Sequence, residues 1–214
     1  PKSLEGYYQE TGRAGRDGGK GDLMTFYDYK DIEKLEKFLQ GKPVAEQEVG
    51  RLLIMETIAF SETSMCRRKY LLHYFGEEFD ADKCDNMCDN CKNPKEEIEG
   101  KEFVKLILEG IVACKERFKP KEMAKIMIGE SNSLIKQHMS QIEDVFGKGQ
   151  EKPIGFWHSV IRQIYVKQLL TKEIESYGIL KITDAGRKFI KNPYSFKITE
   201  DHKYDSLNTS VSNN

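Results

Sequence analysis

Four cysteines fall in the pattern Cys-x17-Cys-x3-Cys-x2-Cys, as Cys66, Cys84, Cys88 and Cys91. The last three lie in Cys84-Asp85-Asn86-Met87-Cys88-Asp89-Asn90-Cys91, where Asp and Asn favour tight turns. Such turns let three sulfurs converge while the fourth arrives from a preceding segment. Four thiolates closing tetrahedrally on one ion is the geometry of a structural zinc site. Cys88-x2-Cys91 alone also fits a redox pair, although no βαβ pattern surrounds it. His73 could stand in for one thiol, or it could simply pack or face solvent.

A second stretch has different chemistry. Gln9-Glu10-Thr11-Gly12-Arg13-Ala14-Gly15-Arg16-Asp17-Gly18 combines glycines, which let a backbone approach closely, with two arginines three residues apart. On a helical turn the two would share a face. A guanidinium fork matches phosphate oxygens, and an arginine finger on a transferring γ-phosphoryl group can contribute roughly 10³ to 10⁵ in rate. An Arg/Gly-rich surface loop is the plain alternative. No Gly-x4-Gly-Lys-[Ser/Thr] phosphate loop occurs, and no acidic magnesium motif is apparent. The chain on its own is therefore not expected to hydrolyse ATP.

The bulk properties bound the possibilities. With 214 residues, 38% hydrophobic and 32% charged, the chain has room for one large domain or two to three small ones. No apolar run approaches a membrane span, so no membrane partner is expected. The first residues, Pro1 to Gly6, lack the basic and apolar regions of a signal peptide. A reducing, cytoplasmic setting follows as the default, in which clustered cysteines read as metal ligands; the fifth, Cys114, reads as a buried thiol. The chain opens inside a motif and not on Met, so it reads as part of a longer protein. The net charge of −1 hides an asymmetry: residues 101–196 hold 17 Lys+Arg against 11 Asp+Glu. A basic half suits a phosphate-backbone partner, and equally an ordinary solvated surface.

The elements that position these groups can be read from hydrophobic spacing. Gly21 to Tyr27 alternates enough for a strand, and Asp31 to Gln40 forms a helix stopped by Gly41. An amphipathic helix runs from Ala45 to Phe60, and Ser61 or Ser64 caps the next one, Cys66 to Phe75, ended by Gly76. So small a platform needs its metal to hold the loop. Past the linker at Pro94-Lys95-Glu96-Glu97, helices are expected from Phe103 to Cys114, Lys121 to Met127, Leu134 to Phe146 after a turn at 129–133, and Phe156 to Leu170. Strands Leu170–Ile174 and Ile179–Thr183 around Glu175-Ser176-Tyr177-Gly178 make a hairpin, and Asp184 enters a last helix. Helices followed by such a hairpin form a winged helix. The fold class is mainly α (α+β): a helical zinc-binding platform, then a winged helix with a β-hairpin wing.

The arginine stretch resembles the sixth motif of superfamily 2 helicases, and Tyr7-Tyr8-Gln9-Glu10 resembles the RecQ branch. Cys66-Arg67-Arg68, Tyr74-Phe75-Gly76-Glu77 and the three-cysteine loop resemble the RecQ zinc subdomain, with one extra residue between Cys84 and Cys88. Ser131-Asn132-Ser133, Phe146-Gly147-Lys148-Gly149 and Phe156-Trp157-His158-Ser159-Val160-Ile161-Arg162-Gln163 resemble its winged helix. The resemblance covers nearly all of residues 1–196. It implies a lobe remnant over 1–41, the zinc subdomain over 42–96 and the winged helix over 97–196. Residues 197–214 lose periodicity and end in Ser, Thr and Asn, so they read as a flexible tail or linker.

By the same resemblance, Arg16 is the finger candidate, Arg13 contacts phosphate or couples two lobes, and Gln9 lies on the nucleotide-facing edge. Zn²⁺ is the structural ion, while ATP and Mg²⁺ belong to the full-length enzyme. Duplex or fork DNA is the expected partner, gripped by Ser131, Asn132, Ser133 and Lys136 with Lys125 a weaker addition, since hydroxyls and amides at a helix N-terminus suit phosphate. Tyr177 matches a wing residue that stacks on an end base; shielding the turn is its structural alternative. Arg67, Arg68 and Lys69 either touch DNA phosphate or are solvated. A single-strand-binding protein is a further implied partner, and a bacterial source would place the protein at the nucleoid. The rival reading is a non-enzymatic zinc and winged-helix DNA-binding regulator. On the helicase reading the zinc site is expected to fix the angle between the nucleotide-facing arginines before it and the DNA-facing winged helix after it.

Overall fold

The computed structural model describes residues 1–204. It divides into two compact units: residues 1–62 with the segment from His202, and residues 63–201. The part of the expected tail from 205 onward lies outside the described residues.

The first unit contains α1 (Leu4–Thr11), α2 (Tyr29–Lys37) and α3 (Val44–Glu62). Ser3 caps α1 by accepting from the Gly6 amide, and Asp28 caps α2 by accepting from the Lys30 amide. Ile32 and Leu35 of α2, with Leu39 just beyond its end, pack against Ile54 and Ile58 of α3. Tyr7 of α1 meets Phe60, with ring centroids 4.9 Å apart. The strand expected over Gly21 to Tyr27 does not form. A strand needs a ladder partner for its backbone groups, and none is present among the described residues of this unit. Met24 and Phe26 are consequently exposed, at 82% and 89%.

In the second unit, α4 (Arg67–Tyr74), a 3-10 turn (Ala81–Cys84) and α5 (Asp89–Lys92) form a small layer containing all four clustered cysteines. Neither Ser61 nor Ser64 caps α4. Cys66 occupies the N-cap, and Thr63 closes the preceding turn by accepting from the Met65 amide at 3.1 Å. Then follow β1 (Glu97–Glu99), α6 (Lys101–Ala113), α7 (Pro120–Ile128), α8 (Ser133–Gln137), α9 (Met139–Ile142), α10 (Ile154–Val166), β2 (Leu170–Glu173), β3 (Ile179–Ile182), α11 (Asp184–Lys191) and β4 (Lys197–Thr199). Helices plus an antiparallel β2–β3 wing, in register Leu170↔Ile182 to Glu173↔Ile179, make the expected winged helix.

Two departures stand out. The helix expected over Leu134 to Phe146 is broken at His138 into the short α8 and α9. The segment from Lys197 is not tail at its start: β4 pairs antiparallel with β1, with Ile98 opposite Ile198. Three residues each are too few for period-2 alternation to register.

One core fills the winged helix. Val104, Ile107, Leu108 and Ile111 of α6 meet Met123 and Met127 of α7, Val160 and Ile164 of α10, Leu180 of the wing and Phe189 of α11. Trp157 is 1% exposed and donates through Nε1 to the Gly149 carbonyl at 2.9 Å. Only glycine fits at 149, because a Cβ there would lie 2.3 Å from the indole ring. Cys114 is buried at the C-terminus of α6. Burial pushes its thiol up to about 12, which leaves it a packing group and not a nucleophile.

Candidate zinc centre and nucleic-acid interface

The sulfur-ligand candidates arrive from three local structures. Cys66 heads α4, Cys84 ends the 3-10 turn, and Cys88 is the N-cap of α5, one turn ahead of Cys91. Their four Sγ atoms all lie within 4.8 Å of one another. Tetrahedral zinc–thiolate bonds place sulfurs about 3.8 Å apart, so the quartet closes on one ion with small adjustments. All five cysteines are free thiols, and both members of Cys88-x2-Cys91 belong to the quartet. His73 does not. Its ring packs edge-on against Tyr165, with centroids 4.7 Å apart.

The three-residue gap between Cys84 and Cys88 has a structural explanation. Asp85 and Asn86 both adopt the left-handed conformation, at φ 49° and 55°, which Asp and Asn tolerate better than other non-glycine residues. The Met87 amide then donates to the Cys84 carbonyl at 3.0 Å. The extra residue is thus absorbed in a closed turn, and Met87 projects outward, 65% exposed.

The thiols are not equivalent. Burial pushes those of Cys66 and Cys91 up. Burial also opposes ionisation of Cys84, but a hydrogen bond from the Cys88 backbone and contacts with the other three thiols outweigh it and hold Cys84 down. Cys88 additionally accepts from the Cys91 amide at 3.4 Å. The donor set fits zinc, which is the structural ion of this protein.

Around the quartet sits a supporting shell that sequence spacing did not reveal. Arg67 forms a two-pronged bond with Asp89. Asn90, 4% exposed, donates through Nδ2 to the carbonyls of Thr63 at 2.7 Å and Met65 at 2.6 Å. Arg68 lies against Met87 Sδ and over the Phe79 ring. Arg67 therefore braces the cysteine loop, and its guanidinium is engaged there.

The layer is tied to the winged helix by polar contacts through β4 and the residues after it. Ser64 and Thr199 hydroxyls are 2.7 Å apart. Lys95 donates to the Asp201 carbonyl at 2.8 Å, and Arg162 of α10 pairs with the Asp201 carboxylate. Gln163 treats Thr199 as a strand neighbour would, accepting from its amide at 2.9 Å and donating to its carbonyl at 2.7 Å.

Ser131 before α8, Ser133 at its first position and Lys136 near its end are all exposed. Asn132 is the N-cap, its Oδ1 accepting from the Ile135 amide at 2.9 Å. Because α8 has five residues, its dipole is small, and the hydroxyls and the lysine are what this turn offers a phosphate. Lys125 lies in the last turn of α7. The loop 147–149 docks on the end of α7 through Gly147 and Gly149 amides, which donate to the Ile126 and Met127 carbonyls at 2.8 and 2.7 Å. At the wing, Tyr177 is half-buried with φ 52° and the Lys119 ammonium 5.7 Å from its ring centroid. The exposed apolar residue of the turn is Ile174, at 80%.

In the first unit, Gln9 is exposed on α1, while Arg13 and Arg16 are exposed in the turns beyond its end. They do not share a regular helical turn. The chain after Gly12 is held by the bonds Ala14 N to Thr11 O and Gly18 N to Gly15 O, with Gly15 and Gly18 at positive φ.

The fold and the quartet define a zinc-binding, cysteine-rich layer joined to a winged helix. Family models match both parts: the RecQ zinc-binding model over residues 29–92 and the RQC domain model over residues 94–207. Relatives include the ATP-dependent DNA helicases RecQ of Pasteurella multocida, 36% identical over 79% of this chain and 27% of the relative, and of Haemophilus influenzae, 33% identical over 89% of this chain and 31% of the relative. The ATP-dependent helicase SGS1 of Saccharomyces cerevisiae is 29% identical over 89% of this chain and 14% of its own length. The chain belongs to the RecQ helicase family and spans less than a third of the length of these relatives.

Proposed function

We propose that this chain is the DNA-binding C-terminal part of a RecQ-type ATP-dependent DNA helicase acting in repair, recombination and replication. The observation that carries the reading is the covalent and physical continuity of the four-thiol layer with a basic winged helix in one compact unit, matched end to end by two adjoining family models. The winged helix binds duplex or fork DNA, with Ser131, Asn132, Ser133 and Lys136 on the phosphate backbone and Tyr177 stacking on an end base. In the intact enzyme, Arg16 serves as the finger on the γ-phosphate, Arg13 binds phosphate or couples the lobes, and Gln9 lies on the same nucleotide-facing edge. ATP and Mg²⁺ act there, and this chain alone is inactive as an ATPase. A cytoplasmic setting, nucleoid-associated for a bacterial source, and a single-strand-binding protein as partner belong to the same reading.

The test is duplex binding by fluorescence anisotropy across a salt series. The Ser131→Ala/Lys136→Ala variant should bind more weakly, with a shallower dependence of log K on log salt. Unchanged affinity and slope would remove the DNA assignment from this turn. In the intact enzyme, Arg16→Ala should abolish ATP hydrolysis while leaving duplex binding in place.

A further inference from the structure

The segment Phe146-Gly147-Lys148-Gly149 follows α9 and sets one charged side chain between two glycines. Both flanking positions call for glycine. Gly147 adopts φ 76°, and a Cβ at 149 would run into the indole of Trp157. The backbone between them is held at several points. The Gly147 and Gly149 amides donate to the Ile126 and Met127 carbonyls of α7. The Lys148 amide donates to the Val145 carbonyl at 3.3 Å, and the Gly149 carbonyl accepts from Trp157. Lys148 therefore projects from fixed backbone.

That backbone lies beside the turn that leads into α8. A Cβ on Gly129, the residue that ends α7, would come within 3.3 Å of the Gly147 Cα. Lys148 is one residue from this contact and Ser131 is two, so their Cα atoms are at most about 16 Å apart. One strand of B-DNA spans that distance in about five nucleotides, at roughly 3.4 Å of rise each. Lys148 is exposed, and no carboxylate among the described residues pairs with it. Glu130 in the turn, with Asp144 and Glu151 on either side of Lys148 in sequence, are exposed as well.

We propose that Lys148 is a phosphate-binding residue that extends the Ser131–Lys136 contact along the same DNA strand. The inference rests on the DNA-binding reading of that turn. The two sets of groups are complementary. Serine hydroxyls orient on phosphate oxygens, whereas an ammonium supplies charge without demanding one direction. The glycine pair lets the backbone come close to Gly129 and Trp157, and so brings the lysine alongside the turn.

The test uses the full chain, a blunt duplex, and anisotropy titrations at several salt concentrations. Lys148→Gln should weaken low-salt binding about fivefold and make the log K against log salt slope shallower by about 1, as for one lost phosphate contact. Lys148→Arg should keep the parental slope. Lys105→Gln, which removes the same charge from α6, should keep it too. Circular dichroism melting should place Lys148→Gln within about 2 °C of the parent, as expected for an exposed position. In the Ser131→Ala/Lys136→Ala background, Lys148→Gln should take a further ~1 from the slope. If the parent binds duplex and responds to Ser131→Ala/Lys136→Ala, but Lys148→Gln keeps the parental affinity and slope, the Lys148 contact is wrong and the DNA reading stands. An equal loss with Lys105→Gln would reduce the effect to net charge and overturn the contact. If the parent binds no duplex, both fall.

Discussion

Arg67 holds Asp89 through two parallel hydrogen bonds, Nε to Oδ1 at 2.7 Å and Nη2 to Oδ2 at 2.8 Å. The two residues are each adjacent in sequence to a zinc ligand, Arg67 to Cys66 and Asp89 to Cys88. The bond therefore fixes the helix that presents one sulfur against the helix that presents two more. A planar fork can do this, whereas a lysine ammonium offers a single point of attachment.

Arg67→Ala should accordingly lower zinc affinity by about 10- to 100-fold, the usual effect of losing a group that orients metal ligands. Arg67→Lys should recover only part of it. Chelator competition with a chromogenic dye reads this directly, and equal affinity for all three proteins would show that the fork is a surface pair with no role at the metal.

Zinc removal should unfold one layer and leave the other. The cysteine layer buries little apolar surface of its own, whereas the winged-helix core extends from Val104 to Ile198 around Trp157. Strong chelation should open residues near 63–92 to proteolysis while the fluorescence of Trp157 keeps its buried character. Simultaneous loss of both signals would mean that the metal supports the winged helix as well.

Asp201 carries more than its position near the end of the chain suggests. Its carboxylate pairs with Arg162, with side chains 11% and 10% exposed, and its carbonyl accepts from Lys95. Removing one side of so enclosed a pair takes a charge-assisted contact from the other, so Asp201→Ala should destabilise the unit by about 3 kcal/mol. Urea unfolding measures this, and truncation after Phe196 should cost at least as much.

His158 gives the winged helix a pH dependence. Burial, with Arg162 and Lys121 nearby, lowers its pKa to about 4, against an ordinary value near 6.5. The folded protein thus binds fewer protons than the unfolded chain between those values. Stability is full above about pH 6.5 and declines as pH falls toward 4, by up to about 3 kcal/mol. His158→Phe should flatten the decline in thermal melts between pH 7 and 4; an unchanged profile would locate the titrating group elsewhere.

Much of this protein is legible in one dimension because its signals are local. Cysteine spacing identifies the metal ligands, since four thiolates within a short span have few other uses in a reducing setting. The 3.6-residue stripes of α6 and α10 and the alternation of the wing report which faces are buried, whereas on α3 Val49 and Met55 are exposed and Glu56 is buried. Asp85 and Asn86 announce the turn that absorbs the extra loop residue.

Other features depended on partners distant in sequence. Gly21 to Tyr27 has strand-like alternation but no neighbouring strand in its unit, so pattern alone misleads. The three-residue β1 and β4 exist because each supplies the other's backbone hydrogen bonds across about a hundred residues. His138 breaks the helix expected after Ser133. Arg67, Asn90, Gln163 and Asp201 look like ordinary polar residues until tertiary structure gives each a carboxylate, carbonyl, amide or guanidinium to meet. Composition and spacing determined the metal, the helices and the wing, because those follow from chemistry within one segment. Only the folded chain decided how the zinc layer is braced and clasped, because directional bonds between polar groups depend on distances that periodicity does not encode.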